Sequence, residues 1–145
     1  MLSGSLPNRL YKMFDQNKRR LVYYPLVVYW IILFTATTIP TDPVPKLFRT
    51  QDKLEHFIAY SILMMLLLPA IHFQSRFRLA KKYSVVASII LVAIYGAVDE
   101  LHQILVPGRY CDFFDWTADV TGGIIGAGIL IYIWKKISPF VKEHH

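Results

Sequence analysis

The sequence predicts an all-α polytopic membrane protein, a bundle of four transmembrane helices with both termini on the cytoplasmic side. Three observations predict it. Of 145 residues, 54% are apolar and 18% charged, against about 25% charged in a soluble domain. Four apolar stretches approach the roughly 20 residues that a helix needs to cross a hydrocarbon core. The basic residues fall on alternate connections, so that the termini share one side. This composition excludes disorder, which needs few apolar residues and high charge. A soluble bundle would carry polar residues at every third or fourth position, and Met64–Leu68 and Ile89–Ile94 have none.

The chain divides into a basic cytoplasmic tail at 1–20, a membrane domain at 21–134 and a second cytoplasmic tail at 135–145. The spans are expected at about 21–40, 54–73, 83–105 and 115–134. In the first, Leu21–Ile39 is free of ionisable acids and bases. Its 20-residue basic leader suits a signal anchor better than a cleaved peptide. Thr41–Gln51, with Pro43 and Pro45, reads as an irregular extracytoplasmic loop. In the second span, Pro69 is expected to kink or end the helix, and His72 reads as interfacial. The third runs uncharged over Tyr83–Val98 and then meets Asp99-Glu100-Leu101-His102-Gln103. In the fourth, Trp116–Trp134 is interrupted only by Asp119.

Twelve of the 16 lysines and arginines lie in the two tails and the middle connection. The other four are Lys46, Arg49, Lys53 and Arg109. By the positive-inside rule this sets the orientation. The net charge of +6 therefore anchors the chain at anionic headgroups, and no nucleic-acid partner is expected. The single cysteine, Cys111, excludes an internal disulfide and a thiolate zinc site.

The acids distribute in the opposite sense. Of ten, only Asp15 and Glu143 fall on the cytoplasmic side. Asp42, Asp52, Glu55, Asp99, Glu100, Asp112, Asp115 and Asp119 gather toward the outer face, with His56 and His102. Asp52, Glu55, His56 and Tyr60 recur at helical spacing, as do Asp99, His102 and Gln103, and then Asp112, Asp115 and Asp119. The last face continues through Gly122, Gly123 and Gly126, a small-residue face that lets a neighbouring helix approach and draws Asp115 and Asp119 inward. Ionisable groups at membrane depth face a bundle interior and pair with one another. Lys53, Arg109, His56 and His102 are the natural partners, so three helix ends are expected to meet in one polar pocket.

Four chemical readings of that pocket stand open. It binds a polar headgroup or peptide, with Arg109 and Lys53 attracting anions. It is an ion-pair network that pins helix ends together around Arg109. It performs acid–base catalysis on a lipid-linked substrate, with Glu100 or His56 as general base. It holds a divalent metal on His56 and His102 with Asp99, Glu100 or Asp52. No other cofactor is expected. The binding candidates are Asp52, Lys53, His56, Tyr60, Asp99, Glu100, Gln103, Arg109, Asp112, Asp115 and Asp119. A purely structural tetraspan, assembling through Gly122 and Gly126, is a further alternative.

Three blocks carry a family resemblance. They are Asp52-Lys53-x-x-His56-x-x-x-Tyr60, Asp99-Glu100-x-x-Gln103-x-x-x-Pro107-Gly108-Arg109 and Asp112-x-x-Asp115-x-x-x-Asp119-x-x-Gly122. Together they resemble the VanZ-like membrane proteins, over roughly Thr37 to Gly126. The resemblance implies a small bacterial envelope protein in the cytoplasmic membrane. It also implies a link to resistance against the lipoglycopeptide teicoplanin, or binding of an envelope lipid or lipid-linked precursor. Asp119 stands where such proteins usually carry asparagine, adding one buried acid.

Overall fold

A computed structural model describes residues 6–40 and 50–137. Every regular element among them is a helix. Helix α1 (Leu6–Gln16) is followed by a π-helical turn, Arg19–Tyr23, which runs directly into α2 (Tyr24–Thr38). Then come α3 (Gln51–Phe73), the one-turn α4 (Arg78–Lys82), α5 (Ser84–Gln103) and α6 (Phe113–Ile137). Four of these segments are long and apolar enough to cross a membrane: Arg19–Thr38, Gln51–Phe73, Ser84–Gln103 and Phe113–Lys136. The chain is an all-α, four-span membrane bundle. The expected loop with Asp42, Pro43, Pro45, Lys46 and Arg49 lies outside the described residues, as do Lys142, Glu143, His144 and His145.

Local chemistry sets where the spans end. Helix α5 stops at Gln103, two residues short of the expected boundary. Pro107 disfavours helix at the preceding residue, and Gly108 adopts φ 78°. The Arg109 N–H returns to the Val106 carbonyl at 3.1 Å, so Val106–Arg109 closes a turn of the Pro-Gly kind. Helix α6 starts two residues earlier than expected, because Asp112 caps it. Its Oδ1 accepts the Phe114 N–H at 2.8 Å, and its carbonyl accepts from Asp115 and Trp116. Pro69 does not end α3, which runs on to Phe73.

Burial reverses the soluble pattern. Large apolar side chains such as Val28, Ile31, Ile58, Ile90, Ile94 and Ile125 face outward, where a hydrocarbon solvent favours them. The interior is a short apolar core around Tyr60, Met64, Val92 and Ala127. Above it sit Asp99, Glu100, Gln103, Asp115 and Asp119, all buried. Helix α3 is central and packs most closely on α6.

Gly122 and Gly126 make that approach. A Cβ at Gly122 would strike the Phe57 carbonyl, and one at Gly126 the Ser61 carbonyl. Ser61 Oγ seals the contact by donating to the carbonyls of Phe57 (2.7 Å) and Gly122 (2.9 Å). The small-residue face is thus spent inside one chain, which overturns the expectation of assembly through Gly122 and Gly126.

The opposite end of the bundle carries α1, a helix within the stretch expected to be a basic tail. Tyr11 packs on Phe73 (ring centroids 5.2 Å apart) and edge-on to Trp134 (6.5 Å), and Phe14 stacks on Phe73. His72 joins this aromatic group at 6.2 Å from Trp134. A cavity of about 240 Å³ lies there, between Tyr11, Pro69, His72 and Trp134 and the start of α5.

Candidate functional site

The polar end is built from the first turns of α3, the last turn of α5, the Val106–Asp112 connection and the first turns of α6. At 100° per residue, Lys53, His56 and Tyr60 fall within about 60° of one another around α3. Glu55 and Tyr60 are about 140° apart on the same arithmetic. Accordingly Tyr60 is fully buried, whereas Glu55 is exposed and accepts a hydrogen bond from Gln51 Nε2 at 2.8 Å. The expected shared face of Asp52, Glu55, His56 and Tyr60 therefore loses Glu55 and gains Lys53.

Lys53 and His56 reach across to α6. Lys53 Nζ lies 2.8 Å from Asp112 Oδ2, 2.9 Å from Asp115 Oδ1 and 3.6 Å from Asp52 Oδ2. Asp112 thus divides its carboxylate, one oxygen capping α6 and the other meeting the ammonium. Lys53 beside it, together with the Phe114 N–H, holds the Asp112 carboxyl below the usual aspartate range. One turn deeper, His56 Nδ1 is 2.9 Å from Asp119 Oδ1 and 3.7 Å from Glu100 Oε1. Deeper again, the Tyr60 hydroxyl donates to Asp99 Oδ2 at 3.3 Å.

Glu100 joins α5 to the start of α6. Its Oε2 accepts the backbone N–H of Asp112 at 2.8 Å, and its Oε1 accepts from Gln103 Nε2 at 3.4 Å. Arg109 is placed differently from expectation. Its Nε donates to the Ile39 carbonyl (3.0 Å) and its Nη2 to the Ala36 carbonyl (2.9 Å), while Nη1 meets Gln103 Oε1 at 3.3 Å. The guanidinium therefore caps the C-terminal carbonyls of α2, which have no partners within the helix and carry its negative dipole end. It is not the centre of a carboxylate network. Lys53 occupies that position. His102 leaves the group as well, with its ring against Phe34 at 5.0 Å.

Eleven candidates were named from sequence, and all lie at this end of the bundle. All eleven take part in the contacts just described through their side chains, Tyr60 and Asp99 with one another. The sequence reading missed Ser61 and the α2 carbonyls. A small hydroxyl opposite Gly122 and Gly126 was a usable signal for Ser61. Backbone carbonyls that accept from a residue some 70 positions away leave no such signal.

A sequence profile for VanZ/LLP1 proteins matches residues 21–135, most of the chain. The chain belongs to the VanZ/LLP1 family. That match takes in nearly the whole of all four membrane helices, and it contains every residue of the polar cluster. No curated protein and no solved structure gives a significant match. The VanZ/LLP1 match establishes kinship, and the chemistry resides in the cluster itself.

Proposed function

We propose that this VanZ/LLP1 protein sits in the bacterial cytoplasmic membrane with its polar cluster at the outer leaflet, where it binds the headgroup of an envelope lipid or lipid-linked precursor. The orientation is supported by the basic residues Arg76, Arg78, Lys81 and Lys82 at the opposite end, between α3 and α5. One observation carries the choice of ligand. Among the described residues, six carboxylates (Asp52, Asp99, Glu100, Asp112, Asp115 and Asp119) share this end with Lys53, His56 and Arg109, and Lys53 and Arg109 are already engaged. Such a cluster does not seek an anion, so the anion-attracting role first expected of Lys53 and Arg109 gives way. It favours a cationic group, such as the ammonium of an ethanolamine headgroup or the free amine of a precursor peptide or lipoglycopeptide.

The contact belongs to the more accessible layer, where the side chains of Asp52 and Asp112 are 21% and 20% exposed. The test is native mass spectrometry and thermal unfolding of the purified protein in nanodiscs. Phosphatidylethanolamine is expected to bind and stabilise, phosphatidylglycerol much less, and Asp52→Asn to weaken the preference. Equal response to both lipids would overturn the reading. A teicoplanin role is tested by expressing the gene in a susceptible host, where a raised inhibitory concentration supports it and an unchanged one removes it.

A second reading has its own observation. The 2.9 Å contact of His56 with Asp119 is the arrangement in which a carboxylate orients an imidazole for proton transfer. In a hydrolase or transferase of lipid-linked substrates, His56 would be the base and Asp119 its positioning residue. Glu100, with both oxygens engaged, is the weaker base. Product formation that is lost in His56→Gln would establish this reading in place of the first.

A further inference from the structure

We propose that His56, Glu100 and Asp119 form a binding site for a single divalent transition metal of the zinc class. A ring nitrogen of His56 and one carboxylate oxygen from each acid all lie within 4.8 Å of one another. His56 Nδ1 is 2.9 Å from Asp119 Oδ1 and 3.7 Å from Glu100 Oε1. A zinc ion about 2.0–2.2 Å from each of three such ligands holds them roughly 3–3.5 Å apart, so small side-chain shifts suffice. One imidazole and two carboxylates also fit borderline metals better than magnesium, which prefers oxygen and retains water. Ligation through Nδ1 leaves the ring proton on Nε2.

A second observation points the same way. Asp119 is 0% exposed and Glu100 is 3% exposed. Asp119 Oδ2 has no hydrogen-bond partner among the described residues, and neither has Asp99 Oδ1 close by on α5. Buried polar oxygens without partners are costly in general, and carboxylates inside a bundle normally pair. Among the described residues the local cations are engaged elsewhere, Lys53 by Asp52, Asp112 and Asp115 and Arg109 by the carbonyls of α2. Among the described residues, one imidazole is thus left beside three deeply buried carboxylates, Asp99, Glu100 and Asp119. A divalent ion supplies the missing charge. This layer lies below the more exposed one assigned to headgroup binding, and the inference does not rest on that assignment.

The experiment uses the full chain in detergent, stripped with chelator and carrying His144→Ala and His145→Ala in every sample to remove the terminal histidines. It is dialysed against Zn²⁺, Mn²⁺ or Mg²⁺, and bound metal is counted by elemental mass spectrometry. One Zn²⁺ per chain is expected, with little Mg²⁺. Asp119→Asn, which keeps the shape, is expected to weaken binding at least about tenfold, and Glu55→Gln on the exposed face to leave it unchanged. Co²⁺ loading is expected to give visible absorption bands that disappear in His56→Gln. Substoichiometric Zn²⁺ in the parent protein, or binding in Asp119→Asn equal to the parent, overturns the site. Loss of metal with lipid preference intact, or the reverse, separates this result from that of the headgroup reading.

Discussion

Among the described residues Lys53 is the ammonium placed to neutralise the acids at the head of α6, and its removal tests how much the polar end depends on it. Lys53→Ala leaves Asp112 and Asp115 facing each other without a cation. Breaking a fully buried pair costs about 3–5 kcal/mol, and solvent access to Lys53, 31% exposed, reduces that. A loss of about 1–3 kcal/mol is expected, read as a lower unfolding midpoint in detergent. Asp112 also sets a pH dependence. Its carboxyl is held below its ordinary 3.8, so the folded form gains stability once the unfolded carboxyl ionises. That contribution is complete above the ordinary value and disappears as pH falls through the lowered one. Acid titration of unfolding is expected to be flatter below about pH 4 in Asp112→Asn than in the parent. An identical profile would show that Lys53 does not act on Asp112.

Helix α6 reads differently along its length. Its first turns supply carboxylates to α3, and its middle supplies glycines that let α3 come close. Leucine at Gly122 has to displace backbone at Phe57, which cannot move like a side chain. Gly122→Leu is expected to cost about 3 kcal/mol or more and to give aggregated protein on size exclusion. A Cβ at Gly128 meets nothing within 4 Å, and Gly128→Leu is expected to elute as the parent does. Equal behaviour of the two variants would mean that α3 and α6 are not in close contact. Helix α1 is the element whose sequence disguised it. Tyr11 and Phe14 are scattered among Arg9, Lys12 and Asp15, and only the aromatic surface of Phe73 and Trp134 gives them a place to pack.

At the scale of the whole molecule, orientation is the property most directly testable. Cys111, the only cysteine, is exposed at the polar end. A membrane-impermeant maleimide is expected to label it in intact spheroplasts. Ser75→Cys in a Cys111→Ser background is expected to react only after lysis. The reverse pattern would place the cluster on the cytoplasmic side. The four spans were legible because hydrocarbon thickness imposes their length on the sequence, and the spacing of Asp112, Asp115 and Asp119 with Gly122 correctly turned one face of α6 inward. The division of labour between the two cations was not legible. Lys53 and Arg109 carry the same charge at the same end, and only the turn at Gly108 decides that Arg109 meets α2 rather than the acids.

The pairing of α3 with α6 has a consequence for biosynthesis. Lys53 and His56 leave the ribosome about 60 residues before Asp112, Asp115 and Asp119. When α3 enters the bilayer, its polar end has no acid from α6 to meet, and α5 arrives with two buried acids of its own. The three-span intermediate therefore carries its unmatched charges at the membrane boundary until the last helix is threaded. Quality control acting during translation meets its most vulnerable species at that moment, and a chain stopped before α6 presents the same unmatched surface to membrane proteases.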